Sequence, residues 1–173
     1  MIDAIKSDLE KLIIEAGSFI KIEKGKTTSN LVDTKSHNSF VTYVDKEAEK
    51  MLVEGLSNLI PGSGFIAEEG TGKETNSEYR WIIDPLDGTT NFIHDIYPVS
   101  ISVALQHKTK TIAGIVYEIG NNELFKAYEN DGAFLNGEKI KVSNTDKLSS
   151  GLVSTGFPYY DFDRLESYLT VLK

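Results

Sequence analysis

Apolar residues at the start of the chain recur at spacings of three and four, which predicts an amphipathic helix over the first twenty-odd residues. We expect this helix to stop at Gly25, and the polar stretch 27–38, which has no period, to form a loop. A second amphipathic pattern begins near Asp45, a residue suited to the N-cap, and ends at Pro61-Gly62. The N-terminal part of the chain therefore predicts two helices, each with one apolar face.

Short apolar runs further along the chain predict strands. Residues 65–67 and 81–83 are bounded by acidic and turn-forming residues, which indicates two buried strands, with residues 70–79 looping out between them. We expect Pro85 to break the second strand, because proline cannot donate to a ladder hydrogen bond. The later part predicts a meander whose first three strands cover 99–106, 111–119 and 123–128. It ends in a hairpin, in which residues 133–135 and 139–142 flank the turn Asn136-Gly137.

The C-terminal residues predict one more helix, with Asp161 or Asp163 as its cap and an apolar face that includes Leu165 and Leu169. Two helices, a long, mostly antiparallel sheet and a further helix favour an α+β domain over a Rossmann-like alternation. The chain of 173 residues has about the length of one domain, and no linker or internal repeat divides it.

Composition and charge narrow the class of protein. No stretch approaches the roughly 18 apolar residues of a membrane span. Eighteen basic against 26 acidic residues give a net charge of −8, which argues against a general basic surface for nucleic acid. The absence of cysteine excludes disulfides, thiol catalysis and zinc–thiolate sites. We therefore expect a cytoplasmic protein without a nucleic-acid or membrane partner.

The candidate chemistry is concentrated in residues 81–92. An apolar strand runs into Asp84, and the turn at Pro85 lets Asp84 and Asp87 converge with the carbonyl of Leu86. Two carboxylates and a carbonyl are hard oxygen ligands that suit Mg²⁺. The following residues, 88–90, are Gly-Thr-Thr and offer successive backbone N–H groups to a phosphate. Asp-Pro and Asp-Gly pairs are also common in turns, so the two aspartates alone would indicate only a capped loop.

A second acidic pair, Glu68-Glu69, follows the other short strand. Adjacent strand residues point to opposite faces, so we expect one glutamate to face the aspartates and the other to face solvent. Beside Asp84 and Asp87, this pair would complete a three-carboxylate cluster able to hold more than one cation. In isolation, a Glu-Glu pair would more simply be a solvated edge.

With these motifs the chain resembles the inositol monophosphatase family, within the larger superfamily of Mg²⁺-dependent, lithium-sensitive sugar phosphatases. The resemblance covers essentially the whole chain, and it is carried by Glu68-Glu69, by the Trp-Ile-Ile-Asp-Pro-Leu-Asp-Gly-Thr-Thr-Asn-Phe string at 81–92 and by residues 132–137, with weaker matches at Val41-Thr42 with Asp45 and at 155–158. It implies the sugar-phosphatase fold and a Mg²⁺-dependent phosphomonoester hydrolase, with myo-inositol monophosphate or a similar small polyol or sugar phosphate as substrate. It also implies a homodimer.

Carried over to this sequence, the resemblance implies a role for each motif residue. Glu68, Asp84 and the Leu86 carbonyl would hold a first cation, and Asp84 would bridge to a second cation that Asp87 also binds. Glu68 and Thr89 would position and activate the attacking water, with Asp45 assisting. The phosphate would lie on the turn that consists of Asp87, Gly88, Thr89 and Thr90, chiefly on the N–H groups of Gly88 and Thr89.

Two departures from the family pattern affect these expectations. Ser39 and Phe40 stand where the family usually has Asp-Leu before its Val-Thr. Family members also continue with a second α/β half, which supplies a Trp-Asp metal ligand and most sugar contacts. We therefore expect residues 1–173 to be the N-terminal metal- and phosphate-binding domain of such a protein, and the last helix, which stops within its apolar face at Lys173, points the same way.

Alternatives remain open for the function. One is a related phosphatase of fructose 1,6-bisphosphate, a nucleotide 3′-phosphate or NADP. Another, should the chain end at Lys173, is a catalytically incomplete metal-binding module. His94 follows the motif and could touch substrate, although a structural or solvent-facing role is the simpler interpretation. Lys24 borders the polar loop and could steer phosphate inward, although a solvated position is the simpler interpretation. Trp81 is expected to pack in the core.

Overall fold

A computed structural model describes residues 2–24, 32–36, 39–70, 77–156 and 162–172 of the chain. The helices in these ranges are α1 (Ile2–Lys24), α2 (Tyr43–Leu59), α3 (Thr89–Ile93) and α4 (Leu165–Val171), with a short 3₁₀ helix at Leu148–Ser150. The strands are β1 (Val32–Ser36), β2 (Ser39–Thr42), β3 (Gly64–Ala67), β4 (Tyr79–Asp87), β5 (Ser100–His107), β6 (Lys110–Glu118), β7 (Glu123–Tyr128), β8 (Gly132–Leu135) and β9 (Glu138–Ile140).

Strands β3 to β9 form one sheet in which spatial order equals chain order. β3 and β4 are parallel, and each later strand pairs antiparallel with the one before it. The predicted hairpin turn is present, with positive φ angles of 48° at Asn136 and 90° at Gly137, as a primed turn requires. The predicted α+β class with a mostly antiparallel sheet is confirmed. Within the described ranges, no helix combines the length and apolar character that a membrane-spanning segment needs.

Several predicted boundaries are wrong for local reasons. The loop predicted over 27–38 contains β1, which pairs antiparallel with β2, while residues 27–31 and 37–38 lie outside the described part. Because β2 runs directly into α2, the helix begins at Tyr43, and Asp45 lies in its first turn instead of at the N-cap. Arg164 occupies the N-cap of α4, so the predicted cap at Asp163 is wrong, and Asp161 lies outside the described residues.

Helices α1 and α2 pack together and against the sheet, and they bury the side chains of one sheet face. Two glycines allow the close approach. A Cβ on Gly17 would lie 2.4 Å from the Tyr117 ring, and one on Gly55 would lie 2.5 Å from Leu12. Trp81 is fully buried, as predicted. The two short strands expected to be buried are covered on one face only, since Ile66 is 41% exposed. The core therefore lies between the helices and one face of the sheet.

Candidate metal and phosphate site

The parallel pairing of β3 and β4 explains how two acidic segments, which are separate in sequence, come together. Ala67, the last residue of β3, pairs with Ile83 of β4, so the residues that follow them, Glu68 and Asp84, lie next to each other. The Glu68 N–H donates to the Ile83 carbonyl at 3.3 Å, which continues the ladder by one residue. The two carboxyl groups thus meet at the end of the pair, where Glu68 is close enough to help raise the pKa of Asp84.

A bulge in β4 places Asp87 on the same face as Asp84. In a regular strand, residues three apart point to opposite faces. Here Asp84 pairs with Ser102 and Asp87 pairs with Ser100, so three steps along β4 match two steps along β5, and one extra residue is accommodated. Pro85, which was expected to break the strand, lies within this bulge while the strand continues to Asp87. The bulge therefore brings Asp84 and Asp87 to the same face of the sheet.

Crowding of these carboxylates has an electrostatic consequence. Burial, and after it the neighbouring charges of Glu68 and Asp87, together raise the pKa of Asp84 from 3.8 to about 7. The Leu86 N–H donates to Asp84 Oδ1 at 3.2 Å and opposes the rise. Three acidic groups at one strand edge therefore repel one another, and a bound cation would offset that repulsion.

Thr89 connects the carboxylate edge to helix α2. Its Oγ1 lies 2.9 Å from Asp45 Oδ1 and 3.1 Å from the Leu86 carbonyl oxygen, and both atoms are hydrogen-bond acceptors. A hydroxyl has one proton to donate, so its lone pairs remain able to accept a hydrogen bond from water. Leu86 completes the link, because its N–H binds Asp84 while its carbonyl binds Thr89.

The turn between the aspartates and α3 requires glycine. Gly88 has a φ of 94°, and a Cβ there would lie 3.0 Å from the Pro98 carbonyl oxygen. Gly88 is the N-cap of α3, and its carbonyl accepts from the Phe92 N–H at 2.9 Å. Thr90, also predicted to contact phosphate, is exposed on α3. The first N–H groups of a helix have no partner within the helix and are suited to an anion.

The sequence analysis missed Glu49, a fully buried carboxylate on α2. Its Oε2 accepts a hydrogen bond from the Glu69 N–H at 2.6 Å. A signal was present in the sequence: Glu49 follows Asp45 by four residues, which places both acids on one helix face among apolar residues. An acidic residue at an apolar position indicates a buried partner.

Lys24 has a different place from the one predicted. Its side chain is only 5% exposed, and its Nζ lies 2.9 Å from Asp95 Oδ1 and 4.7 Å from the centre of the Tyr97 ring. The ammonium also lies 5.9 Å from the ring of Phe92 in α3. It is therefore neither solvated nor free to steer a substrate, and it fastens the segment after α3 to the end of α1. His94 is exposed.

The oxygen atoms at this end of the sheet are of the chemical types that bind a hard divalent cation. Carboxylates, a carbonyl and a hydroxyl are the donors that such cations prefer, and the group carries the excess negative charge that a cation neutralises. Among the described residues, no three acidic or imidazole side chains already stand in a ready-made metal cage. The site therefore suits a divalent cation because its donor atoms are oxygens and because they converge.

Comparison with known proteins identifies the family. The sequence model of the inositol monophosphatase family matches residues 3–167, and the chain belongs to that family. The resemblance found in the motifs is thereby confirmed, together with a phosphatase-type fold.

Similar proteins carry two kinds of name. A Neisseria meningitidis protein named putative Nus factor SuhB is 40% identical over 159 residues, which cover 91% of this chain and 61% of that protein. An inositol-1-monophosphatase from Rhizobium meliloti is 33% identical over 171 residues, 98% of this chain and 64% of that protein. The chain therefore spans less than two thirds of the length of these relatives.

Solved structures agree with the fold. The extragenic suppressor protein suhB from Bartonella henselae superposes with a TM-score of 0.90 at 34% identity, over 98% of this chain and 65% of that chain. The Thermotoga maritima IMPase gives a TM-score of 0.73 at 35% identity, over 82% of this chain and 54% of that chain.

Proposed function

We propose that the chain is the metal- and phosphate-binding part of a Mg²⁺-dependent phosphomonoesterase, whose substrate is myo-inositol monophosphate or a similar small polyol or sugar phosphate. The observation that carries the proposal is the convergence of Glu68, Asp84 and the Asp45–Thr89 hydrogen bond at one edge of the sheet. Family membership supports a phosphorylated substrate. Because the chain spans less than two thirds of its relatives, the activity of the whole protein is part of the proposal.

The proposed ligand set is the one that the resemblance to the family implies, and the pairing of β3 with β4 supports it by bringing Glu68 and Asp84 together. Glu68, Asp84 and the Leu86 carbonyl would hold one cation, and Asp84 together with Asp87 would hold another. The cations would lower the pKa of water and offset the charge on the phosphoryl oxygens. Mg²⁺ is proposed because all these donors are oxygen atoms.

The protein's own groups would orient the reactants. Thr89 Oγ1, with its proton directed to Asp45, can accept a hydrogen bond from the attacking water, and Glu68 would take up the proton of that water. The water oxygen forms a bond to phosphorus as the bond to the alcohol oxygen breaks, and the alcohol oxygen gains one proton, which balances the one that Glu68 removes from the water. The N–H groups at Gly88 and Thr89, with Asp87 and Thr90 flanking them, would hold the phosphoryl oxygens.

The test is phosphate release from myo-inositol 1-phosphate with and without Mg²⁺, for the parent chain, Glu68→Gln and Glu138→Gln. Glu138 is exposed on β9 at the opposite edge of the sheet and serves as a matched control. We expect Mg²⁺-dependent release that Glu68→Gln lowers at least about 100-fold and Glu138→Gln leaves unchanged. Equal phosphate release by the parent chain and by Glu68→Gln would contradict the proposed role of Glu68. Parallel assays with fructose 1,6-bisphosphate, a nucleotide 3′-phosphate and NADP test the substrate class.

The relatives named Nus factor SuhB favour a second candidate, a metal-binding module without turnover. Calorimetric titration with Mg²⁺ separates the two candidates. Mg²⁺ binding without phosphate release on any of these substrates would favour the module, whereas binding with release favours the phosphatase. The homodimer and the cytoplasmic location stay predictions, and light scattering tests the first of them.

A further inference from the structure

Helix α2 directs two buried carboxylates at the candidate site, one turn apart. Asp45 is 2% exposed and Glu49 is fully buried. Asp45 accepts from Thr89, which opens α3, whereas Glu49 accepts from the backbone at the end of β3. Because residues four apart lie on the same helix face, a single rigid element contacts both segments that carry the proposed ligands.

The hydrogen bond to Glu49 anchors the turn that follows β3. Glu68 and Glu69 lie in this turn, which the Gly70 N–H closes by donating to the Ala67 carbonyl at 3.3 Å. The Glu68 N–H reaches the Ile83 carbonyl of β4, and among the described residues β3 has no strand on its other side. Glu49 Oε2 accepts a hydrogen bond from the Glu69 N–H at 2.6 Å. Glu68 is thus held through its own N–H on one side and through that of the next residue on the other.

We infer that Glu49 is a positioning residue, which fixes Glu68 against Asp84 without touching the metal or the substrate. The inference rests on the proposed function, because Glu68 is a ligand only in that proposal. A hydrogen bond to a charged acceptor is stronger than a neutral one, and a fully buried carboxylate is costly unless such bonds satisfy it. Loss of a group that orients a metal ligand typically weakens metal binding by about 10–100-fold.

Three variants of the full chain separate positioning from packing. Glu49→Met keeps a long side chain but removes the acceptor, Glu49→Gln keeps an oxygen acceptor, and Glu49→Asp keeps the charge but shortens its reach. Leu52→Ala, at another fully buried position of α2, is the matched control for a loss of packing. The readouts are the Kd for Mg²⁺ by calorimetry and the hydrogen-exchange rate of the Glu69 amide.

Glu49→Met is expected to raise the Kd for Mg²⁺ about tenfold or more and to speed hydrogen exchange of the Glu69 amide. Glu49→Asp is expected to show the same two effects, and it replaces Glu49→Met as the test if that variant does not fold. Glu49→Gln is expected to stay within about threefold of the parent, as is Leu52→Ala despite its lower stability. An unchanged Kd in the folded Met and Asp variants, or an equal rise in Leu52→Ala, would overturn the inference.

Failure of the inference and failure of the proposed function give different results. A parent chain that binds Mg²⁺ but releases no phosphate favours the metal-binding module over turnover by this chain, while a raised Kd in Glu49→Met still supports the positioning role. A parent chain that binds no Mg²⁺ overturns both.

Discussion

Replacing Asp84 by asparagine should stabilise the metal-free protein at neutral pH, although it removes a proposed metal ligand. The folded chain raises the pKa of Asp84 from 3.8 to about 7, so the folded state keeps a proton that the unfolded chain has released. Because the folded state binds more protons between about pH 4 and pH 7, the free energy of unfolding falls as the pH rises through this window. Below about pH 4 Asp84 is protonated in both states and does not destabilise the fold, and above about pH 7 its ionisation destabilises the fold to the full extent.

The size of the effect follows from the two pKa values. A rise from 3.8 to about 7 corresponds to about 4 kcal/mol when each tenfold step is worth 1.36 kcal/mol. Asp84 is only half-buried, so solvent screening reduces this to about 1–2 kcal/mol. Asparagine has no charge to desolvate, and its side-chain oxygen can still accept from the Leu86 N–H.

The assay is urea unfolding in EDTA, followed by the fluorescence of Trp81, which is the only tryptophan and is fully buried. At about pH 8, Asp84→Asn is expected to unfold with a free energy about 1–2 kcal/mol above that of the parent, and near pH 4 the difference should vanish. Asp146→Asn, at an exposed position, is the control and should change neither value. Added Mg²⁺ should then stabilise the parent more than the variant.

Two outcomes would refute this reasoning. One is an Asp84→Asn protein no more stable than the parent at about pH 8. The other is a gain of equal size at both pH values, which would show that ionisation of Asp84 is not its source.

Two further predictions concern the hydroxyl of Thr89 and the Lys24–Asp95 ion pair. Thr89→Val should lower the kcat for phosphate release by about 100-fold or more, because the side chain keeps its shape but can no longer bind Asp45 or water, while Thr89→Ser should restore most of the rate. In urea unfolding, Asp95→Asn should cost about 1–3 kcal/mol although Asp95 is exposed, because the Lys24 ammonium stays buried without its carboxylate, whereas Lys24→Met, which removes that charge, should be nearly neutral.

Each of these predictions has a contradicting result. A Thr89→Val protein with the kcat of the parent would exclude the hydroxyl from the reaction. An Asp95→Asn change of less than about 0.5 kcal/mol, the usual effect of a surface substitution, would show that Asp95 does not offset the buried charge of Lys24.

Much of the carboxylate edge could be predicted from sequence, because the two short apolar runs each end in an acidic residue. Their parallel pairing, and with it the contact of Glu68 and Asp84, depends on strand order, which periodicity does not encode. The shared face of Asp84 and Asp87 depends on the bulge at Pro85. Proline indicated only an interruption there, whereas the strand continues because its other groups still pair with β5.

The helix boundaries and Glu49 were harder to predict. Residues 27–38 are mostly polar, and strand β1 is stabilised by its pairing with β2, which a pattern of buried positions cannot reveal. Asp45 has the chemistry of an N-cap, but its carboxylate is used by Thr89 inside the fold. Glu49 stands at an apolar position of α2, and its carboxylate accepts from the Glu69 N–H in the turn after β3, a contact that the helical pattern does not reveal.

The agreement between spatial and chain order in the seven-stranded sheet bears on how the chain folds. From β3 to β9 each strand pairs with its neighbour in sequence, so the sheet can grow by successive short-range pairings, which favours rapid folding. The two N-terminal helices do not share this advantage. Gly17 packs on Tyr117, which is synthesised far later, so the part of α1 that contacts the sheet stays uncovered until β6 has formed, even after α2 has covered its share of the helix. During synthesis, that exposed part of α1 needs protection from aggregation.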